Sequence, residues 1–213
     1  MKTVTFYYVR HGETLFNQLN RKQGWCDSPL TEKGIQDAEE AGRILKDVHL
    51  YYAWTSSSER CRDTCAIVLA GRDIPVYESK GLKEINFGTF EAVFEHENTE
   101  ELDRRRKEVD WADAGGDSYD SLRKRLLDTY QDIYEKAEDQ DSVLIVSHGG
   151  VWLWLLKFLF EIEQEDFFRA KIERGVRPMP NGYTGVFQCQ DGRWKLLKVR
   201  DLSDEDVRKL NGE

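Results

Sequence analysis

Residues 142–147, SVLIVS, hold four consecutive apolar side chains, Val143 to Val146. A strand that faces water on one side alternates apolar and polar residues. A run without alternation needs cover on both faces, as a central strand of a parallel sheet has. His148-Gly149-Gly150 then leads into VWLWLLKFLF, an apolar run interrupted only by Lys157. That run is too short to span a bilayer and reads as a buried helix laid over the strand. A buried strand followed by a covering helix is the repeating unit of an α/β fold.

The rest of the chain supplies more such units. TVTFYYVR, Thr3 to Arg10, reads as the first strand. LTEKGIQDAEEAGRILKDV places Ile35, Ala38, Ala41, Gly42 and Leu45 at helical spacing behind Thr31, a natural N-cap. LYYAWTS is a second strand, SSERCRDTCAIVLAG a helix closed by Gly71, and IPVYES a short third strand. SYDSLRKRLLDTYQDIYEKA is an amphipathic helix with Leu122, Leu126, Tyr130 and Ile133 on one stripe. TGVFQCQDGRWKLLKV predicts a hairpin turning at QDGR, and DLSDEDVRKL a short surface helix. This alternation predicts a three-layer α/β/α fold with a mostly parallel central sheet. One domain is expected over residues 1–213. The charged stretch HENTEELDRRRKEVDW would form a helical excursion, at about 92–118, over one end of the core.

The net charge of −9 argues against general nucleic-acid binding, which needs a basic face. It leaves room for a local cationic pocket and a small anionic ligand. Cys26, Cys61, Cys65 and Cys189 form no CxxC pair, and a chain of 213 residues needs no disulfide staples, so reduced thiols are expected. The N-terminus has no apolar leader. These readings point to a cytoplasmic protein that does not enter a membrane. No HExxH or clustered His/Cys spacing suggests a metal, and no cofactor is expected. A homo-oligomer is left open.

In an open α/β sheet, ligands bind beyond the carboxyl ends of the strands. Two predicted strands end alike, in YYVRHGE and in LIVSHGG, each delivering a histidine followed by glycine. The second strand leads to Arg60 in the first turn of a helix, and the third to Glu84. Arg10, His11, Arg60, Glu84 and His148 would then meet at one edge. Two guanidinium groups and two imidazoles suit a phosphoryl group.

RHGET, SSSERCRDT, LKEINFGTFE and VSHGG, in this order over nearly the whole chain, resemble the histidine phosphatase superfamily, in its phosphoglycerate mutase-like branch (branch 1). QGWCDSPLTEKG and PNGYT add to the likeness. The resemblance implies that His11 takes the phosphoryl group, that Arg10, Arg60 and His148 clamp it, and that Glu84 is the general acid. It places Asn17, Gln23, Gly24 and Gly149 among the phosphate- and substrate-binding positions. One departure stands out: FGTFEA has Ala92 where the family pattern carries glycine. The expected activity is a metal-independent phosphatase acting on a small phosphorylated metabolite through a phosphohistidine. Two alternatives stay open: a phosphoglycerate mutase, and a regulatory module that binds phosphate esters without turning them over.

Singly, each site residue has an ordinary explanation. His148 could be a core histidine, Arg60 a helix-face arginine, Glu84 a loop acid and Asn17 a turn former. The Arg104–Arg106 run reads first as a solvated helix face and second as a clamp for another phosphate. Trp25, Phe87, Phe90 and Tyr183 divide between core packing and a substrate pocket. Glu13 reads as a capping or pairing group.

Overall fold

The computed structural model describes residues 1–96 and 99–213. Six strands form one mixed sheet: β1 (Thr3–Arg10), β2 (Tyr52–Ser56), β3 (Val76–Ser79), β4 (Ser142–Ser147), β5 (Gly182–Gln190) and β6 (Arg193–Val199). Their order is β3-β2-β4-β1-β5-β6. The four strands from β3 to β1 run parallel, and the β5–β6 hairpin is added antiparallel to β1. The sheet is thus parallel on the side that carries the expected site. The predicted α/β/α layering is what is observed.

The helices are α1 (Leu15–Gln18), α2 (Glu32–Ile44), α3 (Glu59–Val68), α4 (Thr99–Glu108), α5 (Tyr119–Lys136), α6 (Gly149–Phe160), α7 (Gln164–Glu173) and α8 (Asp204–Leu210). β4 is covered on both faces, as its composition requires. Leu144 and Val146 pack with Ala38, Ala41, Cys61 and Cys65 of α2 and α3. Val143 and Ile145 face the other layer, with Leu122, Leu126, Tyr130 and Ile133 of α5 and Trp152 and Leu155 of α6. All four stripe residues of α5 are fully buried, which stabilises by roughly 1.5–3 kcal/mol for each large side chain removed from water.

Local signals explain most boundaries. The Thr31 side chain accepts from the Gly34 amide at the start of α2, and Ser118 forms a capping box at the start of α5. α3 ends at Val68, and Gly71 lies in the turn beyond it at φ +81°. Among the described residues, no helix is long and apolar enough to cross a membrane.

Candidate active site

Sheet register brings the two histidines together. Arg10 of β1 lies opposite Ser147 of β4, so the residues that follow leave the same edge side by side. The His11 amide donates to the Ser147 carbonyl at 3.0 Å, and the imidazole centroids of His11 and His148 are 5.3 Å apart. Tyr8, on β1, uses its hydroxyl to bridge the backbone of His148, donating to its carbonyl at 2.7 Å and accepting from its amide at 3.2 Å. Gly12 permits a close approach behind His11: a Cβ there would lie 2.1 Å from the Gly34 carbonyl at the start of α2.

The hydrogen bonds assign the tautomers. His11 Nδ1 lies 2.8 Å from the Gly12 carbonyl, which can only accept, so Nδ1 carries the proton. Nε2 is left with its lone pair and bonds to none of the described residues. Burial, with Arg60 and Arg10 nearby, pushes the His11 pKa well below its ordinary value of 6.5, so the ring is neutral at pH 7. His148 Nδ1 accepts from Arg60 Nη2 at 3.0 Å, and its Nε2–H donates to Ser56 Oγ at 2.9 Å. Burial and Arg60 keep this ring neutral as well.

Arg60 is fully buried. Nη1 donates to the Cys26 carbonyl at 2.9 Å and to Asp27 Oδ1 at 2.8 Å, and Nη2 donates to the Gly24 carbonyl at 2.7 Å. Its fork is therefore turned towards the 24–27 loop.

Glu84 reaches the same edge five residues after β3, through a short 3₁₀ turn at Lys80–Leu82. Its buried carboxylate accepts from the amides of Ile85 (3.0 Å), Gly150 (2.9 Å) and Val151 (3.0 Å), the last two in the first turn of α6. A Cβ at position 150 would meet Glu84 Oε1 at 2.6 Å, so any side chain there would push the carboxylate from this position. Burial raises the Glu84 pKa. The amide donors, Arg60 and Arg10 oppose that without cancelling it. The loop is held from below by Arg125 of α5, which donates to the carbonyls of Gly81, Lys83 and Glu84 and to Asp117.

Glu91 joins the two loops. Its carboxylate accepts from the amides of Gly24 (3.0 Å), Trp25 (2.8 Å), Cys26 (3.1 Å) and Phe87 (3.0 Å). One side chain thus fixes both the loop that holds Arg60 and the loop that carries Glu84. Asn17 and Gln23 are placed through Thr14, whose amide donates to Asn17 Oδ1 and whose hydroxyl donates to Gln23 Oε1. Asn181, within PNGYT, donates to the His11 carbonyl at 2.9 Å.

A cavity of about 470 Å³ opens over this edge, and Arg10, His11, Asn17, Gln23 and Glu84 line it. Arg60, His148, Gly24 and Gly149 are not among its lining residues. Arg60 and His148 are fully buried beside His11, which is 3% exposed. The cavity's far side holds Lys22, Phe87, Glu95, Arg106 and Lys107.

The Arg104–Arg106 run divides. Arg104 pairs with Glu101, Glu108 and Asp110 on the solvent side. Arg105 is buried against Asp113 and over the Phe90 ring. Arg106 faces the cavity and pairs with Glu95 and Asp103. Of the four aromatic candidates, Phe87 lines the cavity. Phe90 packs on Trp111, Tyr183 joins the core beside α2 and α3, and the Trp25 indole N–H donates to the Glu84 carbonyl at 2.9 Å. Glu13 accepts from the Thr31 hydroxyl at 2.8 Å, a pairing role. Sequence reasoning passed over Lys22, Arg125 and Asn181, and assigned Glu91 no role. Among the described residues, no three His, Cys, Asp or Glu side chains stand together as a metal site.

A neutral imidazole with a free lone pair, a buried carboxyl of raised pKa and a neighbouring guanidinium can together accept an acyl- or phosphoryl-type group and move one proton. The comparisons with known proteins narrow this. The family model for the histidine phosphatase superfamily (branch 1) matches residues 6–202. The chain belongs to that superfamily. It is 33% identical to a 2,3-bisphosphoglycerate-dependent phosphoglycerate mutase of Cytophaga hutchinsonii, over 79% of this chain and 83% of that one. It is 30% identical to the adenosylcobalamin/alpha-ribazole phosphatase of Salmonella typhimurium, over 79% and 86%. The solved structure of Bacillus stearothermophilus YhfR superposes with a TM-score of 0.73 at 32% identity, covering 94% of this chain and 98% of that one. Relatives thus carry both mutase and phosphatase names.

Proposed function

We propose that the protein is a metal-independent phosphatase that hydrolyses small phosphomonoesters through a phosphohistidine at His11. The observation that carries this reading is the His11–Gly12 hydrogen bond. It places the proton on Nδ1 and leaves Nε2 as a nucleophile on a cavity wall. In the first step Nε2 attacks phosphorus, the P–O bond to the leaving group breaks, and protonated Glu84 gives its proton to the departing alkoxide. In the second, ionised Glu84 takes a proton from water, whose oxygen attacks phosphorus and releases inorganic phosphate and neutral His11. Arg10 is the cation at the cavity wall that meets the phosphoryl oxygens. Arg60 and His148, hydrogen-bonded to each other beside His11, complete the clamp on the phosphoryl group, and burial, with Arg60 and Arg10 nearby, keeps His11 neutral. Asn17, Gln23 and the backbone at Gly24 and Gly149 shape the phosphoryl pocket.

A second reading, a phosphoglycerate mutase, has one observation in its favour: Lys22, Arg106 and Lys107 line the same cavity and could hold a bisphosphate. One assay separates the two. Phosphate release is measured from a panel of phosphomonoesters in EDTA, beside isomerisation of 3-phosphoglycerate with and without 2,3-bisphosphoglycerate. The expected result is release without isomerisation. Isomerisation outrunning release would replace the phosphatase reading by the mutase. Ester binding with no turnover of either kind would leave a phosphate-binding module.

A further inference from the structure

Glu84 lies where the backbone belongs to no strand or helix. β3 ends at Ser79 and the 3₁₀ turn at Leu82, so the carbonyls of this loop need donors from side chains. One residue supplies most of them. Arg125 Nη1 donates to the carbonyls of Gly81 (3.1 Å) and Lys83 (2.6 Å), and Nη2 to the Glu84 carbonyl (3.2 Å) and to Asp117 Oδ2 (2.7 Å). Every terminal N–H of the guanidinium thus has one acceptor. Asp117 continues the grip. Its Oδ2 also accepts from the Asn86 amide at 2.9 Å, its own amide donates to the Asn86 carbonyl at 2.8 Å, and its Oδ1 accepts from Ser121 Oγ at 3.0 Å.

Both side chains are largely buried, and neither lines the cavity. The helix that carries Arg125 is itself fixed by the fully buried Leu122, Leu126, Tyr130 and Ile133, so the guanidinium has a rigid mount. Glu84 is therefore held at two ends: its carboxylate rests on the first turn of α6, and its backbone hangs from α5. The amides of α6 fix the carboxylate only while the loop delivers it to them. A backbone shift of about 1 Å would turn the carboxyl away from a leaving-group oxygen, and a misplacement of that size costs on the order of 10²-fold in rate. Removing either member of the pair leaves the other's charge and the loop carbonyls without partners, which is the force that would produce such a shift.

We infer that Arg125 and Asp117 are positioning residues for the general acid: from outside the cavity they fix the backbone on both sides of Glu84, so that its carboxyl faces the leaving group. They act through Glu84 and touch no substrate. This rests on Glu84 being the acid of the proposed phosphatase. A pair that served only the stability of the fold would affect all esters alike, whereas a positioning pair affects the esters whose leaving group needs a proton.

The test compares Arg125→Met with the unaltered protein in two ways. The first is kcat/KM, which reports phosphoryl transfer to His11. It should fall on the order of 10–10²-fold on alkyl phosphates and stay within about threefold on p-nitrophenyl phosphate. The second is the titration of Glu84 without substrate, followed by NMR on protein carrying carboxyl-labelled glutamate, with Glu84→Gln to assign the signal. Arg10 and Tyr8 of β1, Arg60 and Cys61 of α3, Lys22 and the α6 amides stand near this carboxyl, and burial raises its pKa. Loosening the loop admits water, so the midpoint should move down towards the ordinary carboxylate range in Arg125→Met. Asp117→Asn keeps an acceptor but drops the charge. It should show both changes to a smaller extent, and it decides the matter if circular dichroism finds Arg125→Met unfolded. Equal losses on the two esters would overturn the inference, as would a Glu84 midpoint that does not move. If the unaltered protein released phosphate from no ester, the phosphatase reading would fail, and the titration would still decide whether the pair sets the Glu84 carboxyl.

Discussion

The two walls of the cavity are built differently. On the sheet-edge wall, the partners of His11 and Glu84 are backbone atoms: the Gly12 carbonyl and the amides of Ile85, Gly150 and Val151. Strand register and the first turn of α6 set those positions, and they move only if the fold moves. On the facing wall, charged side chains answer one another: Arg106 pairs with Glu95 and with Asp103. Half-exposed ion pairs of this kind contribute little and rearrange easily. A wall held by backbone suits chemistry, which tolerates little misplacement. A wall held by exchangeable ion pairs suits the choice of leaving group.

The sharpest way to break this contrast is to alter one residue on each wall. His11→Ala should lower kcat/KM by at least about 10⁴-fold while the fold persists, since the nucleophile is lost and no core residue is touched. Arg106→Ala, on the facing wall, should cost far less, under about tenfold, since only half-exposed ion pairs are lost there. Comparable losses in steady-state assays would mean that the two walls do not divide the work. Glu84→Gln comes next. It should cost roughly 10²–10⁴-fold on alkyl phosphates and less than about tenfold on p-nitrophenyl phosphate, whose leaving group hardly needs a proton. Equal losses on both would remove Glu84 from the acid role.

The same assignment fixes the signs of the pH profile. His11 must be neutral, and its pKa is depressed by burial and by Arg60, so the acidic limb lies below the ordinary histidine value. Glu84 must be protonated, and burial raises its pKa, so activity on alkyl phosphates falls as pH rises through that raised value. On p-nitrophenyl phosphate this alkaline limb should be weak or missing. An alkaline limb that is the same for both esters would point to another group. Smaller still is the effect expected of Glu91→Gln. The amide keeps the shape, but its NH₂ end faces backbone N–H groups that now serve a carboxylate. Loosening both loops at once should lower kcat/KM by on the order of 10–10²-fold. Parallel kinetics on Phe168→Leu, which alters the cavity wall and makes none of these hydrogen bonds, would show whether the loss is specific.

The site was legible where local rules govern it. Strand ends, glycines after histidines and the helix starting beside Arg60 are all written in short windows, and β1 and β4 follow from their periodicity. What escaped depends on direction or on distant partners. That Arg60 bonds to His148 and to the Gly24 and Cys26 carbonyls depends on a loop fixed by Glu91, 31 residues further along the chain than Arg60. Lys22 is one lysine in a polar loop, and its burial comes from Phe87 and Trp111, far along the chain. Arg125 lies beside the apolar stripe of α5 and reads as surface until the Glu84 loop is placed above it. Helix α7 had no visible start, because the turn before it uses Glu161 at φ +58° where a glycine would have announced it.

Ala92 gives the finest test, because here the sequence departure and the backbone agree. It sits at φ +63°, a region that costs an L-residue about 1–2 kcal/mol and costs glycine nothing. The conformation cannot relax freely: the Ala92 amide donates to the Lys22 carbonyl at 2.9 Å, and its own carbonyl accepts from Arg21 Nη1 at 2.7 Å. Ala92→Gly removes the steric cost but adds freedom to the unfolded chain, worth roughly 0.5–1 kcal/mol in the opposite sense. The net expectation is a stabilisation of about 0.5–1 kcal/mol, seen as a rise in Tm of about 1–4 °C. Activity should stay level, since Ala92 puts no side chain into the cavity. A drop in Tm would mean that the turn holding Lys22 relaxes once glycine is allowed there. The facing wall would then owe its form to the alanine.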